Sequence, residues 1–320
     1  HYLKIISLRM VNKIPVAIIG ATGIGRIHIR EFLAAGAKVV GILGSNPKST
    51  ILRAKELSDE FNLKLHAYYN IEELINSDLK AVSVCSPPDT HLNILERTLE
   101  SNLYVFCEKP LFWQSEYNND LIRETLTILM GKAQGRLLVN TSNAWFMENY
   151  KRLMQNYRKP REFYLKFHTH GPYREEGIGL DLLPHGLSFL LEMGCKGVIE
   201  QLKVETKQNE YKCQFNLDGV SAHFDFCEDA NYSKELSFII DGTRVKRIQK
   251  IENGTYSVFL ACNCFENRIQ QVEDPFRVYI KRFLKTVSEG GDFSNLKNNI
   301  TRNMELMTQI LKPNDRKLND

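Results

Sequence analysis

Between residues 14 and 106, short β-branched runs alternate with amphipathic stretches, the pattern of successive βαβ units feeding one parallel sheet. The predicted strands cover 16–19, 39–43, 81–84 and 103–106. Their hydrophobicity is continuous rather than alternating, as it is where helices cover both faces of a sheet. Ile29, Phe32 and Leu33 recur at helical spacing ahead of Gly36, which sits where a helix C-cap glycine would. Leu92, Leu95 and Leu99 form a second apolar stripe that ends in a turn at Ser101-Asn102. After Pro110 the pattern changes. A helix predicted over 116–129 leads to Gly131 and Gly135, which places the boundary between domains 1–130 and 131–320. A strand follows at 137–140, and stretches at 161–169, 198–205, 211–217, 221–226, 236–240 and 256–261 predict half-buried antiparallel strands interrupted by a helix over 180–193. Asp218-Gly219, Asp241-Gly242 and Asn253-Gly254 carry hairpin turns, and helices over 275–287 and 300–311 close the sequence. The fold class is α/β: an N-terminal doubly wound parallel sheet, then a domain dominated by antiparallel strands.

Composition narrows what such a chain does. At 320 residues it exceeds what one hydrophobic core usually serves, roughly 250–300 residues. Its 42 Lys+Arg against 38 Asp+Glu leave a net charge of +4, with no cluster of five or more basic residues, which argues against nucleic acid and for a small, anionic ligand. No apolar run approaches the ~20 residues needed to cross a bilayer. Residues 1–12 read as a leader or tag remnant with Met10 a natural start, since they lack the apolar core and cleavage site of a signal peptide. The seven cysteines are odd in number, scattered and without a C-x-x-C pair, which argues against a disulfide framework and a zinc site and points to the cytoplasm. Cys262 and Cys264 are expected as buried thiols on one face of a strand.

The first strand runs straight into Gly20-Ala-Thr-Gly23-Ile-Gly25, and a helix follows, the context in which a glycine-rich string reads as a dinucleotide fingerprint of a Rossmann domain. Gly20 permits the tight turn and Gly25 lets the helix pack on the strand; Thr22 stands where the middle glycine is usual, with Gly23 displaced by one position. In NAD-preferring domains an acid at the end of the second strand accepts hydrogen bonds from the ribose hydroxyls. Here the sequence is Leu43-Gly44-Ser45-Asn46-Pro47-Lys48-Ser49-Thr50, with no acid from Val39 to Lys55. Hydroxyls and Lys48 attract a 2′-phosphate that a carboxylate would repel, so NADP(H) is favoured over NAD(H). Ser49 also stands where it would cap the next helix.

Cys107-Glu108-Lys109-Pro110, with Ser86-Pro-Pro-Asp-Thr-His91 before it, resembles the Gfo/Idh/MocA family of NAD(P)-dependent oxidoreductases. The resemblance extends to Gly20…Gly25-Arg26-Ile27-His28, to Tyr69-Asn-Ile-Glu-Glu-Leu74, to Asp181-Leu-Leu-Pro-His185 and to Asp274-Pro-Phe. It implies a Rossmann domain followed by an α/β domain whose open, mostly antiparallel sheet covers the active site and forms the interface of a homodimer or homotetramer. It also implies a catalytic set of Lys109, Asp181 and His185; the expected cofactor site comprises Gly20, Thr22, Gly23, Ile24, Gly25, Ser45, Asn46, Lys48, Ser86, Pro87, His91, Glu108 and Lys109. Ser188 departs from the second Asp that many relatives carry three residues after the His, and Leu183 from a frequent Gly.

The residues themselves support those roles. A side chain at the C-terminal end of a parallel strand faces the crevice where ligands bind, which places Ser86 and Lys109 beside a cofactor. Asp181 and His185, four apart on a helix, project to one side. A neutral imidazole with an unperturbed pKa near ~6.5 suits the proton that an alcohol loses on oxidation. Lys109 is suited to stabilise charge on the reacting oxygen, and Asp181 to orient substrate or His185. Trp145 is a candidate for stacking on a sugar face, and Tyr173 and Arg174, in the polar loop after His168 and His170, are candidate substrate contacts, Arg174 for a carboxylate or phosphate. No metal-ligand spacing is present. Two functions follow: an NADP(H)-preferring oxidoreductase that moves a hydride to or from a secondary alcohol or carbonyl of a sugar, cyclitol or sugar derivative, or a non-catalytic dinucleotide-binding regulator.

Overall fold

The computed structural model describes residues 13–154, 156–252 and 255–313, so the expected leader at 1–12 and the Asn253-Gly254 turn lie outside the described residues. The first sheet contains β1 (Pro15–Ile19), β2 (Lys38–Leu43), β3 (His66–Ala67), β4 (Ala81–Val84), β5 (Tyr104–Cys107) and β6 (Leu137–Val139). They are all parallel, in the order β3-β2-β1-β4-β5-β6. Helices α1 (Ile24–Ala34), α2 (Pro47–Phe61), α3 (Ile71–Ile75), α4 (Pro88–Glu100) and α5 (Asn119–Ala133) connect them. β4 is buried throughout and β1 and β5 nearly so, the cause of their unbroken hydrophobic runs. Asparagines set the helix starts. Asn118 accepts from Leu121 N, so α5 begins later than 116, and Asn46 accepts from Ser49 N, so the cap of α2 is Asn46 and not Ser49. β6 pairs with β5, so the first sheet runs past residue 131; Gly135, at φ 79°, turns the chain into β6 rather than out of the domain.

A second sheet follows α6 (Ala144–Leu153), a helix absent from the sequence pattern. It comprises β7 (Glu162–Thr169), β8 (Ile199–Lys207), β9 (Glu210–Leu217), β10 (Val220–Glu228), β11 (Glu235–Ile240), β12 (Thr243–Glu252), β13 (Thr255–Ala261) and β14 (Ile269–Val272), with α7 (Glu176–Glu192) between β7 and β8. Pairing is antiparallel except where β10 lies parallel to β7, which makes α7 a crossover across one face. That face is aromatic: Phe163, Phe224 and Phe238 are buried, and α7 comes so close that a Cβ on Gly186 would stand 2.7 Å from the Phe224 ring. β12 and β14 escape the period-two pattern because charged residues occupy both faces of β12 as it runs out toward solvent. Cys262 and Cys264 lie in the turn after β13, outside the strand, and are joined by a disulfide; this corrects the expectation of two thiols, which rested on strand alternation. The other five cysteines are buried and free.

The chain then returns to the first sheet. In α8 (Pro275–Glu289), Ile280 and Phe283 are fully buried, and the Phe283 ring lies 5.4 Å from Phe106 on β5 and 6.1 Å from Phe32 on α1. α9 (Lys297–Leu311) packs on α7 and α5, so helices from the end of the sequence brace both sheets. Phe283→Ala is expected to lower the unfolding free energy by about 3–5 kcal/mol, the range for a large buried aromatic. Urea denaturation measures it, and a loss below ~1 kcal/mol would show that α8 is not part of the first core.

Candidate active site

The turn between β1 and α1 is shaped for close approach. Gly20 has φ 84°, and a Cβ there would meet Ser86 N at 2.6 Å; a Cβ on Gly25 would meet the Gly20 carbonyl oxygen at 2.0 Å. Gly23, at φ 46°, heads α1 with no side-chain cap, so the helix presents its positive end uncapped toward a crevice of about 1290 Å³. Thr22, Gly23 and Ile24 line that crevice, as do Ser86, Pro87 and Glu108. This cradle fits a dinucleotide pyrophosphate. Asn140, at the end of β6, lines it too, and its buried Oδ1 has no partner among the described residues, an acceptor open to a carboxamide N–H.

Glu108 and Lys109 at the end of β5 face opposite ways. Glu108 is buried, accepting from His28 Nε2 at 2.7 Å and Asn140 Nδ2 at 2.6 Å, while His28 Nδ1 meets Ser83 Oγ at 2.7 Å. Burial alone would lower the His28 pKa, yet the Cys85 sulfur and Glu108 carboxylate carry it up to about 10; burial would raise Glu108, and His28 above all holds it at about 2. The pair is charged. Glu108 therefore reaches the crevice wall with its oxygens already engaged.

Lys109 crosses the crevice to α7. Its Nζ donates to the Asp181 carbonyl oxygen at 2.8 Å and ion-pairs with Asp181 Oδ1. Burial opposes the Lys109 charge, but Asp181 and Glu108 raise its pKa, and Lys109 in turn lowers that of Asp181 against the burial that would raise it. His185 lies one turn further, edge-on to Phe167 at 5.6 Å between ring centroids. Burial and the Lys109 charge press its pKa down to about 3, so the imidazole is neutral across the physiological range, unlike the ordinary titration expected from sequence. Its buried Nδ1 has no partner among the described residues. Lys109, Asp181, His185 and Tyr173 all line the crevice.

The other expected residues stand elsewhere. Ser45, Asn46 and Lys48 are exposed beyond the end of β2, outside the crevice lining, with the Asn46 side chain committed to its helix cap. His91 is fully buried and bridges backbone, with Nε2 2.7 Å from the Ser86 oxygen and Nδ1 3.0 Å from that of Pro110, so it braces the crevice wall instead of touching a ligand. Trp145 is packed away from the crevice: its Nε1 donates to the Glu273 carbonyl oxygen at 3.0 Å and Arg282 lies 4.9 Å over its ring. Arg174 spends Nη1 on the carbonyl oxygens of Tyr173 and Glu228, at 2.6 and 3.2 Å, and is not the crevice cation. That place is taken by Arg247 of β12, which faces the crevice over the Phe167 ring. Sequence reasoning missed it with its strand. Ser188 donates to the His185 carbonyl oxygen at 2.6 Å and lines a separate cavity, so it does not stand in the crevice where relatives would place the second acid.

Fold and crevice together define an NAD(P)-binding Rossmann protein with a second, sheet-based α/β domain. Residues 14–125 match the family model described as an oxidoreductase family with NAD-binding Rossmann fold, so the resemblance to the Gfo/Idh/MocA family is borne out over this unit. The inositol 2-dehydrogenase of Azotobacter vinelandii is 33% identical over 99 residues, 30% of this chain and 28% of that protein. The UDP-N-acetylglucosamine 3-dehydrogenase of Acidithiobacillus ferrooxidans is 29% identical over 122 residues, 38% of this chain and 34% of that one. Each alignment thus spans a minority of either chain. Structural likeness runs further: a solved structure of the A. ferrooxidans enzyme covers 93% of this chain and 96% of its own at a TM-score of 0.68 and 18% identity. The 3-ketoreductase of Actinomadura kijaniata, in complex with TDP-benzene and NADP, covers 94% and 98% at 0.69 and 18%. At that identity the likeness is one of fold.

Glu108→Gln leaves the His28 charge buried without its counter-ion, and is expected to cost about 3–5 kcal/mol of stability. Glu108, lowered from 4.5, contributes stability above its ordinary pKa that is lost as pH falls toward about 2, and His28, raised from 6.5, contributes below 6.5 stability that is lost as pH rises through about 10. Unfolding measured across pH should therefore show an acid limb that the variant lacks; an unchanged limb would assign it to other carboxylates.

Proposed function

We propose that the protein is an NAD(P)H-dependent oxidoreductase acting on a secondary alcohol or carbonyl of a sugar, cyclitol or sugar derivative. The observation that carries this reading is the meeting of Lys109 with Asp181 and His185 on the crevice wall, next to the glycine turn. Gly20, Gly23, Gly25, Ser86 and Asn140 would hold the dinucleotide, which supplies or receives the hydride. The Lys109 ammonium binds the reacting oxygen and offsets the negative charge that develops on it. Neutral His185 holds a substrate hydroxyl, and Asp181 fixes Lys109 in place. Arg247 and Lys234, crevice cations without an ion-pair partner among the described residues, favour a substrate bearing a carboxylate or phosphate. The named activities of the relatives, on inositol and on sugar nucleotides, support a polyol substrate of this kind.

We further propose a preference for NADP(H), because β2 ends without an acid and Ser45 and Lys48 stand free in the solvent beyond it. Fluorescence titration should show tighter binding of NADPH than of NADH. Ser45→Asp should then shift the ratio toward NADH by about tenfold or more, since like charges brought together cost several kcal/mol; an unchanged ratio would place the 2′-phosphate elsewhere. Lys109→Ala should lower kcat on the best of a panel of neutral and anionic polyols by roughly 10²-fold or more while leaving the NADPH Kd within about twofold. Equal turnover would remove Lys109 from the chemistry.

A further inference from the structure

We propose that Glu228 is a positioning residue that holds a proton shared with Asp181 and through it sets the charge of the Lys109–Asp181 pair. Glu228 closes β10 and is fully buried. One carboxyl oxygen, Oε2, accepts from Tyr173 N at 2.9 Å; the other, Oε1, is buried and has no hydrogen-bond partner among the described residues. The loop between β7 and α7 is pressed onto this carboxyl, since a Cβ on Gly171 would stand 2.0 Å from Oε2. On the far side the carboxyl lies within hydrogen-bonding contact of the Asp181 carboxyl. Two carboxyls in contact in a dry site share a proton at rest, because ionising both side by side is costly where a second cation is lacking.

Among the described residues, the surrounding groups supply no such cation. Around Glu228 stand Asp181 of α7, Lys109 from the end of β5, Tyr173 and Arg174 of the loop, and Cys227 and Asp229 on either side in the chain. Among the described residues Lys109 is the one cation facing the carboxyl pair, since Arg174 directs its Nη1 to carbonyl oxygens and His185 is neutral. Lys109 keeps Asp181 ionised. The proton therefore resides on Glu228, whose O–H satisfies the otherwise orphaned Oε1 by donating to Asp181. Burial first, and the Asp181 charge second, raise the Glu228 pKa to about 7.

This inference rests on the oxidoreductase reading for its chemical meaning. The resting set of Lys109, Asp181 and Glu228 carries two protons beyond the fully deprotonated state, one on Lys109 and one on Glu228. When a carbonyl is reduced, its carbon receives the hydride from the reduced dinucleotide, and the electron pair of the C–O π bond becomes the alkoxide lone pair. Lys109 donates a proton to that oxygen and is reprotonated from Glu228 by way of Asp181, so the set ends with both carboxylates ionised and one proton on Lys109. Oxidation reverses each movement.

The test is Glu228→Gln, which keeps the side chain's shape and lets an amide N–H replace the donated proton. The pH profile of kcat for NADPH-driven reduction in the native protein should fall above about pH 7, and the variant should lose that limb, with kcat down about tenfold at pH 7. KM for NADPH should stay unchanged. A limb retained in a folded variant would overturn the proposal and leave Glu228 as a brace for the 170–175 loop. Carboxyl ¹³C NMR on the substrate-free protein gives a second readout that needs no turnover. One carboxyl should titrate near neutral pH in the native protein and vanish in the variant, and its absence from the native protein would equally overturn the proposal. If no polyol is turned over but that carboxyl titrates, the oxidoreductase reading fails while the shared proton stands.

Discussion

The site depends on the buried ion pair between Glu108 and His28. Consecutive residues of an extended chain point to opposite sides, so whatever fixes Glu108 inward also aims Lys109 outward. His28 comes from α1, the helix that presents the phosphate-binding turn, and Asn140 from the end of β6; their bonds to one carboxylate gather three segments of the first sheet's C-terminal edge around a single point. Such a pair is not retained for stability alone, because its charges lose their hydration on burial. Here it sets the bearing of a lysine that meets α7 from across the crevice.

On the other wall, the parallel pairing of β7 with β10 has a similar effect. It forces a crossover, the crossover is α7, and close contact with the aromatic face of the second sheet fixes the helix in depth. Asp181 and His185 then reach the crevice as neighbours on one helical face. The microenvironment that results is sharply divided: a protonated lysine and an ionised aspartate hold each other charged, while burial and the lysine's charge keep the nearby histidine neutral.

Much of this could be read from the sequence, for identifiable reasons. The four central strands of the first sheet were legible because burial on both faces leaves them uniformly apolar, and the glycine turn because no other residue fits at Gly20 or Gly25. Lys109, Asp181 and His185 were legible as motifs. Arg247 was not, since β12 carries charge on both faces and shows no periodicity, and Glu228 gave no signal because its meaning comes from a neighbour 47 positions earlier in the chain. Trp145 and Arg174 were misplaced for the opposite reason: their chemistry suits a ligand, but backbone carbonyls and neighbouring side chains already occupy them. His185 departs from its reference pKa because burial first, and the Lys109 charge second, disfavour its protonation, and neither its depth nor its closeness to Lys109 is written in the sequence.

The return of α8 to the first sheet separates the unit that evolution has kept recognisable from the unit that can fold. The segment matching the family model ends at residue 125, before β6 and far before α8. Cut there, it would leave the edge of β5 unpaired and the rings of Phe32 and Phe106 open to water. The stretch that matches the family model thus has no complete interior of its own, and β6 and α8, which lie outside it, close its core.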